Sequence, residues 1–275
     1  SNGTLAIDGT SPLLENAKAD TTVYVSNLTV TVEANETVNI TDTVTVSGTV
    51  LDQNGNKYTG KANLTVNGTF IKEIDVVDGE YEDTYPATLA GLNNVTVTLT
   101  TGSVTVEESG IPDDETDYGV ITVDNDGTLD LSGSDTVWVT IPTEIPITVD
   151  NPLTAHEEAT ATITLTNKTD GTVIKDITKD DVVIVVKQGE TELDATIEYN
   201  PETGEFEVKF TPLTEDDVTI NATFAAKDVY LASNNDVSVG VVPIETSISV
   251  SGENTTINGT SDITINVKDD NNNPV

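Results

Sequence analysis

Asp124, Asp126 and Asp130 crowd around Gly127 in the run VDNDGTLDLSGSD, residues 123–135. Alternate carboxylates in a tight glycine turn can converge on one hard cation, with backbone carbonyls completing the oxygen shell. Calcium is therefore the candidate ion, and no other cofactor is indicated. The run lacks the third early acid and the terminal bidentate glutamate of a full twelve-residue calcium loop. Without an ion it reads as an ordinary Asp-Gly hairpin turn.

Other chemistry has less to work with. The chain holds one histidine, His156, and no cysteine. A histidine–serine relay therefore has a single base to draw on, and no Gly-x-Ser-x-Gly elbow accompanies it. The acidic pairs Asp113-Asp114, Glu157-Glu158 and Asp216-Asp217 are adjacent in sequence. On a strand, adjacent residues point to opposite faces, which is poor geometry for an acid/base pair. No catalytic residue is assigned, and a non-enzymatic chain is expected. Tyr81 and Tyr85 share one face of an extended run and could offer a sugar platform. Trp138, the one indole, lies in DTVWVTI and reads as core or interdomain packing.

The elements that must position these residues are strands. Period-two alternation runs through residues 21–32, 93–100, 135–141, 159–166, 181–189, 205–210, 217–224 and 262–269. Turn signals separate them at Asn54-Gly55, Asp78-Gly79, Asp126-Gly127, Asp170-Gly171 and Thr203-Gly204. Short strands at regular spacing with Asn/Asp-Gly turns specify an antiparallel β-sandwich. Only SPLLENAK, residues 11–18, suggests a helical turn; residues 155–161 are ambiguous. The expected fold is all-β, with tandem Ig-like antiparallel β-sandwich domains.

Length and self-similarity divide the chain. At 275 residues it exceeds one sandwich, and about 100–150 residues per domain suggests two units and part of a third. Residues 20–50 align loosely with 135–169, and a third start occurs at 245–275. The expected organisation is an N-terminal tail (1–20), domain 1 (21–125), a junction (126–142) and domain 2 (143–243). Residues 245–275 would then start a third Ig-like unit; the alternative is a hairpin added to domain 2. The chain is thus expected to be a piece of something longer, and the aspartate cluster lies at the start of its junction, with Asp124 the next-to-last residue of domain 1.

Composition narrows the partners. Net charge is −37, from 48 acidic and 11 basic residues, and every basic residue is lysine. Phosphate backbones and anionic membrane surfaces would be repelled. No run is apolar for long enough to cross a membrane as a helix. The acidity favours a solvated monomer whose self-repulsion salt relieves.

A family resemblance rests on turn chemistry. Asp52, Asn54 and Gly55 are followed by Val66-Asn67-Gly68, by Asp78, Gly79 and Tyr81, and by Asn94 to Val97. This pattern resembles the Ig-like repeats of adhesin-like surface proteins from methanogenic archaea, which are similar to bacterial Ig-like repeats. It is good over residues 20–125 and weaker over 143–243. The resemblance implies a non-catalytic stalk or adhesion module on an extracellular cell surface, with other cells, surface glycans or proteins as partners. A carbohydrate- or protein-binding module attached to a secreted protein or enzyme is the alternative. Similar bacterial adhesins can carry a Lys–Asn amide crosslink, for which Lys187, Lys209 and Lys227 are the lysines in or beside apolar strands.

Asn-x-Thr sequons are frequent. They start at Asn2, Asn27, Asn35, Asn39, Asn63, Asn67, Asn94, Asn167, Asn221, Asn254 and Asn258. An exported chain would present them for N-glycosylation. Strands rich in Asn and Thr also generate some sequons by chance.

Overall fold

The computed structural model describes residues 3–8, 18–23, 27–107, 118–125, 130–269 and 274. Two compact units divide the chain, Ser1–Thr140 and Ile141–Val275.

In the first unit, Thr43–Leu51 is the centre of one sheet. Thr29–Val30 and Glu33–Ala34 pair along one side of it, and Glu80–Pro86 along the other, all antiparallel. The second sheet runs in the order Thr37–Asn39, Ser132–Thr140, Gly91–Glu107, Tyr58–Val66, Thr69–Val76. Only its first pairing is parallel. This division of the strands is that of an Ig-like sandwich. Alternation places Val44, Val46, Leu64, Val95, Val97, Leu99 and Val137 in the shared core. Each such side chain contributes about 1.5–3 kcal/mol by leaving water.

Local chemistry sets the turns. Asn67-Gly68 and Asp78-Gly79 both have positive φ at their two residues, as a two-residue hairpin loop with the right-handed strand twist requires. At the other hairpin, the backbone N–H groups of Asn54 and Asn56 both donate to Asp52 Oδ1 at 2.8 Å. One buried carboxylate thereby organises the Asp-x-Asn-Gly turn.

The second unit repeats the plan. One sheet orders Ile147–Val149, Ala159–Thr164, Glu205–Phe210, Ala195–Asn200; the other Thr191–Glu192, Val182–Gln188, Val218–Phe224, Ser233–Val239. Ile163, Leu165, Phe206, Val208, Ile220 and Phe224 fill the space between them. Beyond this core, Thr246–Gly252 and Ile263–Asp269 form a separate antiparallel hairpin. Its pairs Ile248↔Val267 and Val250↔Ile265 gather apolar side chains on one face, where Ile248 and Val250 are exposed.

The structure revises several boundaries. Ser132–Thr140, expected in the junction 126–142, is a full strand of the first sandwich, paired to Gly91–Glu107. Its Val137 and Val139 are buried in that core. Burying two β-branched residues and completing a ladder outweighs leaving the segment free as a connector. The expected tail also contains structure: Gly3–Asp8 pairs with Lys18–Val23, across the expected boundary at 20/21. Lys18 thus starts a strand; the rest of the suggested helical turn at 11–18 lies outside the described residues.

Candidate functional site

The aspartate run is the motif closest to chemistry. Asp124 closes the strand Tyr118–Asp124, which pairs with the distal half of Gly91–Glu107. Asp130 precedes the strand Ser132–Thr140, and its Oδ1 accepts a 2.6 Å bond from the Ser132 hydroxyl. Both aspartates are exposed, and Asp126 lies outside the described residues. The run therefore connects two strands of one sheet inside the first unit, and the expectation that it joins two units is corrected. Among the described residues no three acidic or histidine side chains gather as a metal site would require. Calcium and magnesium at equal concentration are expected to raise the melting temperature equally, as plain screening does. A calcium-only rise, abolished by Asp126→Ala, would instead establish a specific ion there.

His156 is exposed in a turn and has φ +64°. Tyr81 and Tyr85 point into the core and so present no platform to a sugar. Desolvation raises both phenol pKa values, and Tyr81 OH donates to the Thr31 carbonyl at 2.6 Å. Lys187 is exposed, Lys209 pairs with Glu207, and Lys227 Nζ lies 2.8 Å from Asp181 Oδ2. Lys227 and the Thr178 backbone N–H together hold the Asp181 carboxyl below the usual range. None of these three lysines is buried, as an amide crosslink would need.

What the structure does assemble is a sheet face. Val95, Val97 and Leu99 point inward from Gly91–Glu107, so Leu92, Asn94, Thr96 and Thr98 point outward. Pairing sets Thr96 between Ser134 and Thr65, and Thr98 between Ser132 and Asn63. Thr136 lies beside Asn94, and Trp138 beside Leu92. Hydroxyls and amides thus occupy the centre of this face, which carries none of the 48 acidic residues there. Trp138, expected in a core or interdomain contact, faces outward because its neighbours Val137 and Val139 take the core. It is 37% exposed and Leu92 is 64% exposed.

The candidate sequon asparagines distribute unevenly. Asn27, Asn35, Asn67, Asn94, Asn254 and Asn258 are exposed; Asn39, Asn63, Asn167 and Asn221 are half-buried. Several amides have structural work. Asn35 Oδ1 accepts the Thr45 N–H at 2.6 Å, and Asn39 Oδ1 the Thr140 hydroxyl at 3.0 Å. Asn67 Nδ2 donates to Asn93 Oδ1 at 2.8 Å, while Asn67 Oδ1 accepts the Asn94 N–H at 2.8 Å. Asn93 is buried and donates to the Leu89 and Gly91 carbonyls. Sequence reasoning missed Asn93, because its role exists only once the Asn67 turn is folded against it. It likewise missed Gln188, a buried amide that holds the 213–216 loop.

No family model matches the chain, and no curated protein sequence is similar to it. Among solved structures, invasin, a bacterial integrin-binding protein, aligns at 16% identity and TM-score 0.43. That alignment covers 99% of this chain and 54% of invasin, so the chain spans about half of that structure. An ICAM-5 D1–D4 ectodomain fragment aligns at 9% identity and TM-score 0.38, covering 93% of this chain and 64% of the fragment. The Lin-41 filamin domain aligns at 15% identity and TM-score 0.29, covering 36% of this chain and 91% of the domain.

Proposed function

We propose that this chain is a non-catalytic segment of a large cell-surface, adhesin-like glycoprotein, its Ig-like sandwiches serving as a stalk that carries adhesion. One observation carries the reading. Thr140 ends the first unit, bonded through its hydroxyl to the Val38 carbonyl at 3.2 Å. The very next residue, Ile141, is already bonded into the second, its N–H donating to Val229 at 2.7 Å and its carbonyl accepting from Leu231 at 2.9 Å. Two self-contained cores thus follow one another directly along the sequence, as repeated units of a spacer would. The net charge of −37 keeps such a spacer solvated and apart from its neighbours. The uncovered apolar face of the Thr246–Gly252 hairpin is what the opening strands of a third sandwich would present.

Pulling the chain between its ends tests the stalk. Two separate unfolding events are expected, each releasing roughly 35 nm of contour at about 3.5 Å for each of about 100 residues. A chain that extends without resistance would overturn the proposal. The second reading, a binding module, draws on the exposed Trp138 and Leu92. Saturable attachment of this chain alone to cells or to a glycan array would favour it; a spacer gives neither.

A further inference from the structure

We propose that Asn94 carries an N-linked glycan whose first sugar lies over Leu92 and Trp138. This rests on the glycoprotein reading above, and it assigns one modification site and its docking surface.

The geometry of the sequon is the first support. Val95 is fully buried, so Asn94 and Thr96 stand side by side on the outer face. Asn94 Nδ2 donates to the Thr96 hydroxyl at 3.2 Å, which leaves its second amide hydrogen facing solvent. The neighbourhood is the second support. Asn94 is paired with Thr136 and Leu92 with Trp138, which places the indole diagonally across from Asn94 at about 7–8 Å. A pyranose ring spans that separation. Its C–H face can cover the exposed indole and leucine, and its hydroxyls can meet Thr136. The neutral surroundings set no carboxylate against the incoming sugar.

The rival sequons on this sheet lack these features. The Asn67 side chain is committed at both ends, and turning its amide outward would strip buried Asn93 of its partner. Asn63 is half-buried beside Thr98 and Glu73, with no exposed apolar pair next to it.

The test uses the full chain made in a host that glycosylates Asn-x-Thr sites, compared with Thr96→Val, Asn94→Gln and the same chain made in a host that does not glycosylate. Glycopeptide mass spectrometry reads occupancy. Trp138 is the sole tryptophan, so acrylamide quenching of its fluorescence reads the contact. Asn94 is expected to be occupied and Asn67 empty. Quenching should rise about two-fold in the unglycosylated chain and in both variants, as the indole surface under the sugar becomes accessible. The unglycosylated chain carries no substitution, so a variant that folds badly does not decide the outcome. Glycans on Asn27 or Asn254 with Asn94 empty would overturn this inference and leave the glycoprotein reading standing. Occupied Asn94 with unchanged quenching would overturn the docking. Empty sequons throughout would overturn both readings.

Discussion

Replacing Gly102 with alanine is expected to lower the melting temperature of the first sandwich by about 10 °C, since about 3 kcal/mol of overpacking moves a domain of this size by about 4 °C per kcal/mol. Gly102 sits opposite Gly60 across a register shift between Gly91–Glu107 and Tyr58–Val66. The Tyr58 phenol lies across this glycine pair. A Cβ on Gly102 would stand 2.4 Å from Tyr58 Cζ and 2.6 Å from the Thr59 carbonyl. Tyr58 cannot swing away cheaply: it is fully buried, and its hydroxyl donates to the Lys61 carbonyl at 3.1 Å. The Thr59 carbonyl belongs to the ladder itself. Scanning calorimetry should resolve two transitions, one for each core, with only the first displaced by Gly102→Ala. An unchanged first transition would mean that the strands can part there without loss. Equal displacement of both would mean that the two cores do not melt separately.

The counterpart in the second sandwich is Gln188. Its Nε2 donates to the carbonyls of Thr214 and Asp216, each at 2.8 Å. Its Oε1 accepts the N–H groups of Leu213 at 2.7 Å and Thr214 at 3.2 Å. One side chain thus satisfies four backbone groups of the loop between Glu205–Phe210 and Val218–Phe224. Gln188→Met keeps the volume and removes all four bonds. Water reaches parts of this loop, since Leu213 is exposed, so the expected cost is about 3 kcal/mol and not the sum of four full desolvation penalties. Only the second calorimetric transition should fall. Gln188→Glu separates the two halves of the clamp: it retains the acceptor for Leu213 and Thr214 but aims a carboxylate at two carbonyls. Burial and those carbonyls raise its folded pKa above the unfolded value. Its penalty is therefore complete at neutral pH and fades as pH falls through the folded pKa. A Gln188→Glu protein whose deficit does not shrink on acidification would rule out this account of the clamp.

The alternation of Val and Thr and the Asn-Gly and Asp-Gly turns by themselves determined the all-β class and the inward set of most strands. Both signals are local: side-chain direction has period two, and a two-residue loop needs positive φ whatever lies around it. The same locality could have placed Trp138 outward, since Val137 and Val139 claim the core parity; its bulk alone suggested burial. Pairing was another matter. Ser132–Thr140 and the other Val/Thr runs share one pattern, so nothing local says that this segment closes the first sheet against Gly91–Glu107 and does not bridge two domains. That choice depends on which ladder buries Val137 and Val139, a contact between residues some forty positions apart. Gly102 and Gln188 were equally silent. A glycine in a strand or a glutamine at its end has no periodic signature, and each acquires its role from a partner that tertiary folding delivers: the Tyr58 ring in one case, four backbone groups of a distant loop in the other. The outer face with Asn94, Leu92 and Trp138 belongs to the same class, because a sequon and an indole forty-four residues apart become neighbours only through the register of two strands.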